Sequence, residues 1–265
     1  GEIYRIDDLH SSGPLNAVML FIPAMLLAGD TAPALIHLAF TILAGAALYT
    51  AAHRCLSRTG ALLAAAAFFL MPVTAALAPE AAVDFPLILF VLLAFIAFTH
   101  WWETGRLSWL ILAAVNLGLA AGTKYTGLHA LVLLSAGILV RIVVARDRRP
   151  VILSHGAAAI LVAVLVGCPW YVRSTVLTGN PFYPVLARTI PTRHISAALT
   201  GAAPAVEVPG KYPRDLANLL LFPVNYTFGF TRGIGDGPTA EGLVHSPGPL
   251  FLALVPLLFL LGPAP

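Results

Sequence analysis

The chain has 265 residues, of which 59% are hydrophobic and 10% charged, with a formal net charge of +3. An average soluble domain carries about 25% charged residues, so this composition excludes a water-soluble globule and points to lipid as the solvent. The basic residues are scattered or lie beside apolar segments, which argues against nucleic acid as a partner and makes their placement a report on membrane orientation.

Taken in order, residues 1–31 are expected to form an outer interfacial segment. Polar residues 1–14 lead into an apolar stretch, 15–29, that is short and contains Pro23, so it fits a helix lying in the interface better than a crossing. Were it to cross, only the orientation of the first segment would flip. Residues 32–172 are expected to form a transmembrane bundle of about six spans, at 32–53 and near 60–78, 84–101, 107–122, 126–144 and 151–172. Several approach the lower length limit, which calls for tilt or local thinning. Residues 173–248, rich in proline, glycine and aromatic residues, are expected to be a non-cytoplasmic loop region, and 249–265 the start of a truncated further span. The chain opens on a glycine with no signal-peptide pattern, and the expectation is an internal fragment of a larger protein. The fold class expected is all-α, a polytopic transmembrane helix bundle.

Positive charge gathers at Arg54 and Arg58 and again at Arg141, Arg146, Arg148 and Arg149. Both connectors fall on one side if every span crosses, and the positive-inside bias makes that side cytoplasmic. Trp101, Trp102, Glu103 and Arg106 join them there. The Glu80/Asp84 turn, the Lys124/Tyr125 turn and the 173–248 region then share the outer face. Cys55 and Cys168 sit near opposite ends of their spans, which argues against a disulfide, and no metal-ligand spacing is present.

Ionisable groups at membrane depth are costly and usually functional. Asp84 enters an apolar helix; it either caps that helix ahead of Pro86 or serves a site, and Glu80, one turn away on a helix, either shares that site or is solvated. Lys124 lies in Gly122-Thr-Lys-Tyr-Thr-Gly127 and is one of two lysines in the chain. It either snorkels to headgroups or binds an anion, with the flanking glycines opening the backbone around it. Trp170 and Tyr171 read as belt aromatics or site residues, and Arg173 either lies among headgroups or holds a phosphate bidentately. His10 and His37 lack a second ligand at helical spacing and read as structural. Asn225-Tyr-Thr227 matches a glycosylation acceptor, a pattern common by chance. Nucleotide-binding glycine loops are absent, which excludes ATP-driven transport by this chain alone.

Four patterns together resemble one known group. They are His10-Ser-Ser-Gly-Pro14 before an apolar segment, Glu80 to Asp84 before Phe-Pro-Leu-Ile-Leu-Phe, the Gly122–Gly127 lysine turn, and Pro169-Trp-Tyr-Val-Arg173 with Thr178-Gly-Asn-Pro-Phe-Tyr-Pro184. The chain is similar to membrane glycosyltransferases of the GT-C superfamily, in particular the protein mannosyltransferase and aminoarabinose-transferase relatives. That resemblance implies inverting transfer of a sugar from a polyprenyl-phosphate donor to an acceptor, of identity not readable here, on the non-cytoplasmic side. It implies that Lys124, with Tyr125 and Arg173, meets the donor phosphate and that Asp84, with Glu80, is an accessory of the site. His10, Asn180 and Tyr183 are the outer-loop candidates. The superfamily's principal acidic residue follows a first membrane helix and is expected upstream of this chain; Asp7 and Asp8 do not match its context. The catalytic residue is therefore unknown, and the activity of the fragment by itself is left open. A divalent metal is left open, without a ligand motif.

The expected partners are the bilayer, a polyprenyl-phosphate-linked sugar and an acceptor; the expected location is multi-pass in a bacterial plasma membrane, with the site outward. The competing readings are a lipid or solute transporter or flippase, which would place its charges at midplane in paired halves, and a noncatalytic membrane scaffold.

Overall fold

A computed structural model describes residues 13–184 together with Leu186, Thr189 and Ile190. His10, the glycosylation triplet and the apolar stretch 249–265 lie outside the described residues, as does most of the 173–248 region. The described chain is all-α, with no strand among the described residues. Its helices are α1 (Asn16–Ala28), α2 (Ala32–His53), α3 (Arg58–Leu70), α4 (Pro72–Leu77), α5 (Asp84–Thr104), α6 (Leu107–Ala121), α7 (Gly127–Val144) and α8 (Arg149–Thr178), with a 3-10 turn at Arg146–Arg148. Among the described residues four stretches are long and apolar enough to cross a membrane: α2, α5, α7 and the continuous run Arg146–Thr178. The outward faces of α1, α7 and α8 leave Leu27, Leu133 and Val176 uncovered, an arrangement stable only in lipid.

The apolar run near 60–78 is not one helix. Met71 takes an extended conformation (φ −61, ψ 130) because the residue before a proline is pushed out of the α region, and Pro72 then opens α4. α3 begins at Ser57, whose side chain accepts from the Gly60 N–H at 3.2 Å. Further along the chain α8 runs to Thr178, past the expected boundary at 172. Pro169 inside it leaves the Leu165 carbonyl without an amide partner, and the Cys168 thiol turns back to that carbonyl at 3.8 Å. The helix stops at Gly179, whose φ of 78 is a left-handed cap that a side chain would strain. Cys55 and Cys168 are both free thiols.

The chain divides into two compact units, with the division falling inside α2 between Ile36 and His37. The first unit holds residues 1–36 and 83–200, the second residues 37–82 and 201–265. In the second, Gly45 of α2 lies against the ring of Phe69 on α3, Tyr49 stacks on His53, and the Thr41 hydroxyl donates back to the His37 carbonyl at 3.0 Å.

The core of the first unit is built around α6, which packs against α5, α7 and α8. Leu110, Ala113, Ala114 and Leu117 of α6 meet Ala94, Ala97 and Trp101 of α5, Leu134 and Ile138 of α7, and Ile152, Ala159 and Ala163 of α8. Gly118 and Gly167 face each other across the α6–α8 seam, and a Cβ on Gly118 would collide with Val166 and the Ala163 carbonyl. Lipid supplies no hydrophobic drive between helices, so close backbone approach at small residues is what holds such a seam.

Candidate functional site

One end of the first unit gathers the start of α1, the start of α5, the α6–α7 turn and the end of α8. Asp84 is the first residue of α5; Val83 precedes it without a side-chain cap, and the Asp84 carboxylate accepts from Lys124 Nζ at 2.8 Å. The capping reading of Asp84 therefore gives way to an ion pair. The pair is favoured by two helix ends, since Asp84 stands at the positive N-terminus of α5 and Lys124 just beyond the negative C-terminus of α6. The two side chains are 37% and 45% exposed, so a ligand reaches them without the fold opening.

The turn carrying Lys124 is clamped from three other directions. Asn16, at the start of α1, donates its backbone N–H to the Gly122 carbonyl at 2.8 Å and its side-chain amide to the Leu119 carbonyl at 3.3 Å, while its Oδ1 accepts from Trp170 Nε1. The Tyr171 hydroxyl donates to the Ala121 carbonyl at 2.8 Å, and the Tyr125 hydroxyl to the Tyr183 carbonyl at 2.7 Å. Burial pushes the Tyr125 phenol above its ordinary 10.0, partly offset by the neighbouring Ser174 hydroxyl. The rings of Tyr125, Tyr171 and Phe182 close a triangle with centroids 5.7 to 6.3 Å apart.

The flanking glycines are filled by the protein itself. A Cβ on Gly122 would strike the Asn16 amide, and one on Gly127 the Ala120 backbone, so both serve packing and neither leaves bare backbone for a ligand. What Lys124 offers a ligand is its exposed charge. Beside it, Tyr125, Leu128, His129, Val132, Phe182 and Leu186 line an apolar cavity of about 490 Å³. A second cavity, of about 240 Å³, lies on the other side of Leu128 and Phe182 against Tyr171, Pro181 and Cys168.

The remaining candidates are placed differently. Arg173 is on the last turns of α8 with its guanidinium 5.9 Å from the Trp170 ring centre. Asn180 is fully buried: its carbonyl accepts from the Ser174 hydroxyl at 2.8 Å, and its Oδ1 accepts from the Phe182 N–H at 2.9 Å, so it shapes the turn after α8. Tyr183 is buried too, and precedes a cis bond to Pro184. Glu80 belongs to the second unit, in the turn after α4, where its N–H bonds the Leu77 carbonyl at 3.0 Å. Among the described residues no three His, Cys, Asp or Glu side chains gather as a metal would require.

Sequence reasoning passed over Asn16. The one signal it gives is an amide at the head of an otherwise apolar segment, a residue that in lipid must find partners. It also treated Trp170 as a belt aromatic or site residue, whereas its indole N–H is spent on Asn16.

A helical bundle with lipid-facing apolar walls and its ion pair at one rim defines an integral membrane protein. More particularly, the chain belongs to the dolichyl-phosphate-mannose-protein mannosyltransferase family, which matches residues 13–172, more than half of its length. It is a membrane glycosyltransferase of the GT-C kind. Asp84, Lys124 and Tyr125 fall inside the matched segment, and Arg173, Asn180 and Tyr183 beyond it. No curated protein and no solved structure matches the chain.

Proposed function

We propose that the protein transfers a sugar from a polyprenyl-phosphate donor to an acceptor hydroxyl at the non-cytoplasmic membrane face. The observation that supports this most is the juxtaposition at the α6–α7 turn, where an exposed ammonium stands one residue from an apolar cavity of about 490 Å³. A lipid phosphate has the same two-part chemistry, an anion joined to a chain that stays in oil. In the reaction the acceptor oxygen bonds the anomeric carbon, the bond from that carbon to the phosphate oxygen breaks, and the phosphate leaves with the electron pair. Lys124 stabilises the charge that develops on the departing phosphate. The hydroxyl proton passes to a carboxylate, which is not assigned among the described residues.

Asp84 holds the ammonium at the rim while the site is empty. The Tyr125 hydroxyl already donates a hydrogen bond to the Tyr183 carbonyl, so Tyr125 offers the donor a ring face and a wall of the cavity. Arg173, on the closing turns of α8, is the second cation for the phosphate. The outward orientation rests on the arginines at the opposite connectors, and the location proposed is a bacterial plasma membrane.

The test is to incubate the purified protein in lipid with a radiolabelled polyprenyl-phosphate sugar and an acceptor extract. Label transferred to acceptor supports the reading. Label that crosses the bilayer still joined to its lipid identifies a flippase, and label that does neither leaves a scaffold.

A further inference from the structure

The end of the first unit opposite the Asp84–Lys124 pair holds a second polar cluster, with no part in the reaction proposed above. Arg141, in the last turn of α7, sits in the corner of two indoles set at 79° to each other, its guanidinium carbon 5.0 Å from the Trp101 ring centre and 4.8 Å from that of Trp102. The cradle is fixed. Trp101 is buried in the core and donates its Nε1–H to His155 Nδ1 at 3.3 Å, and Phe98 packs against both indoles. Packed in that corner, the guanidinium keeps N–H donors on the edge turned away from the two rings. Among the described residues no oxygen accepts from the Arg141 guanidinium, and no carboxylate pairs with it.

The surroundings are basic and then apolar. Arg106, Arg146, Arg148 and Arg149 occupy the same end, against the carboxylates Glu103 and Asp147. Next to them Val140, Val143 and Val144 on α7 and Val151 on α8 are uncovered. Because α7 is a membrane-spanning segment, these valines lie against lipid chains while the cations stand at the level of the headgroups. A molecule with an anionic phosphodiester and hydrocarbon chains satisfies both at once.

We propose that the Arg141–Trp101–Trp102 cluster is a binding site for the headgroup of an anionic phospholipid, whose acyl chains lie along the valine face of α7. The guanidinium edge takes two phosphodiester oxygens, and Arg148, exposed on the following turn, adds a second cation. The site is independent of the transferase reading and of which leaflet it faces.

The experiment is native mass spectrometry of the whole protein released from micelles containing equal phosphatidylglycerol and phosphatidylcholine, with thermal unfolding measured in each lipid alone. The intact protein retains phosphatidylglycerol preferentially, by about five-fold for each engaged arginine. Arg141→Gln removes about that factor, and Arg141→Lys, which keeps the charge and loses the planar fork, removes part of it. Arg148→Gln, on a side chain that is 71% exposed and meets Asp147 at 3.8 Å in an exposed ion pair, must also lower the preference. Equal retention of the two lipids by the unaltered protein overturns the proposal. So does an Arg141→Gln protein that melts lower in both lipids alike while keeping its preference, since that is the signature of a purely structural stack.

Discussion

Asp84 and Lys124 are forty positions apart in the chain and share a 2.8 Å ion pair, which ties the first residue of α5 to the turn that follows α6. Because both side chains are half-exposed, the pair adds little stability, on the order of 0 to 1 kcal/mol for such contacts. Its consequence is positional. Lys124→Ala is expected to leave the melting temperature in detergent nearly unchanged while lowering transfer from a lipid-phosphate sugar by about a hundred-fold or more. A well-folded Lys124→Ala protein with ordinary kcat/KM removes Lys124 from the site.

The same pair sets an orientation test. With Cys55 and Cys168 replaced by serine, cysteines introduced at Asp84 and Lys124 are expected to react with a membrane-impermeant thiol reagent from the same side of intact cells. A cysteine at Arg146 is expected to react from the other side. Labelling of positions 84 and 124 from opposite sides would end the proposed geometry.

Tyr125→Phe deletes the bond to the Tyr183 carbonyl and leaves that oxygen without its tyrosine donor, a loss of about 1 to 3 kcal/mol. It should appear as a lower thermal midpoint. The pH dependence follows from the raised phenol: the folded state holds this proton more tightly than the unfolded chain, so the stabilisation is complete below pH 10 and is lost as pH rises past it. Unfolding measured from pH 6 to 11 should be flat for this group up to pH 9 and decline above 10, with a smaller decline in Tyr125→Phe.

At the α6–α8 seam, Gly118→Val is expected to destabilise by about 1 to 3 kcal/mol, because its Cβ has no space beside Val166 and Ala163. Gly105→Ala, at a helix cap with open space around it and a φ of 69, should cost only the left-handed strain, roughly 1 kcal/mol. Equal midpoints for the two variants would refute the close-packed seam.

Asn16→Ala removes both side-chain bonds that hold α1, to Leu119 of α6 and to Trp170 of α8, whereas Asn16→Asp keeps the acceptor for Trp170 and loses only the 3.3 Å contact to Leu119. Limited proteolysis is expected to cut before α2 faster in Asn16→Ala than in Asn16→Asp. Equal rates would mean that α1 is held by its apolar face alone.

The helical class and most helix positions could be read from hydropathy, because lipid forces each crossing segment to satisfy its own backbone over a fixed length. The stretch expected at 32–53 is α2, and those expected near 107–122 and 126–144 are α6 and α7 to within a residue. The break at Met71-Pro72 was in the sequence as a proline, but an averaged run of apolar residues hides a single backbone constraint. Asp84, Lys124 and Tyr125 stood out because ionisable and polar groups are rare in such a chain. Their pairing did not, since contacts across forty or more positions depend on how helices pack. The glycines of the lysine turn illustrate the limit: the sequence reads them as opening the backbone to an anion, and only coordinates show that Asn16 and Ala120 occupy the space beside them.

The five-residue segment from Ala121 to Tyr125 accepts hydrogen bonds from positions 16 and 171 and donates to positions 84 and 183. During synthesis the ammonium of Lys124 is made early, yet the last of its four moorings leaves the ribosome nearly sixty residues later. This rim is thus assembled only after α8 has been threaded into the bilayer, so a nascent protein arrested at α7 holds the charge without the geometry.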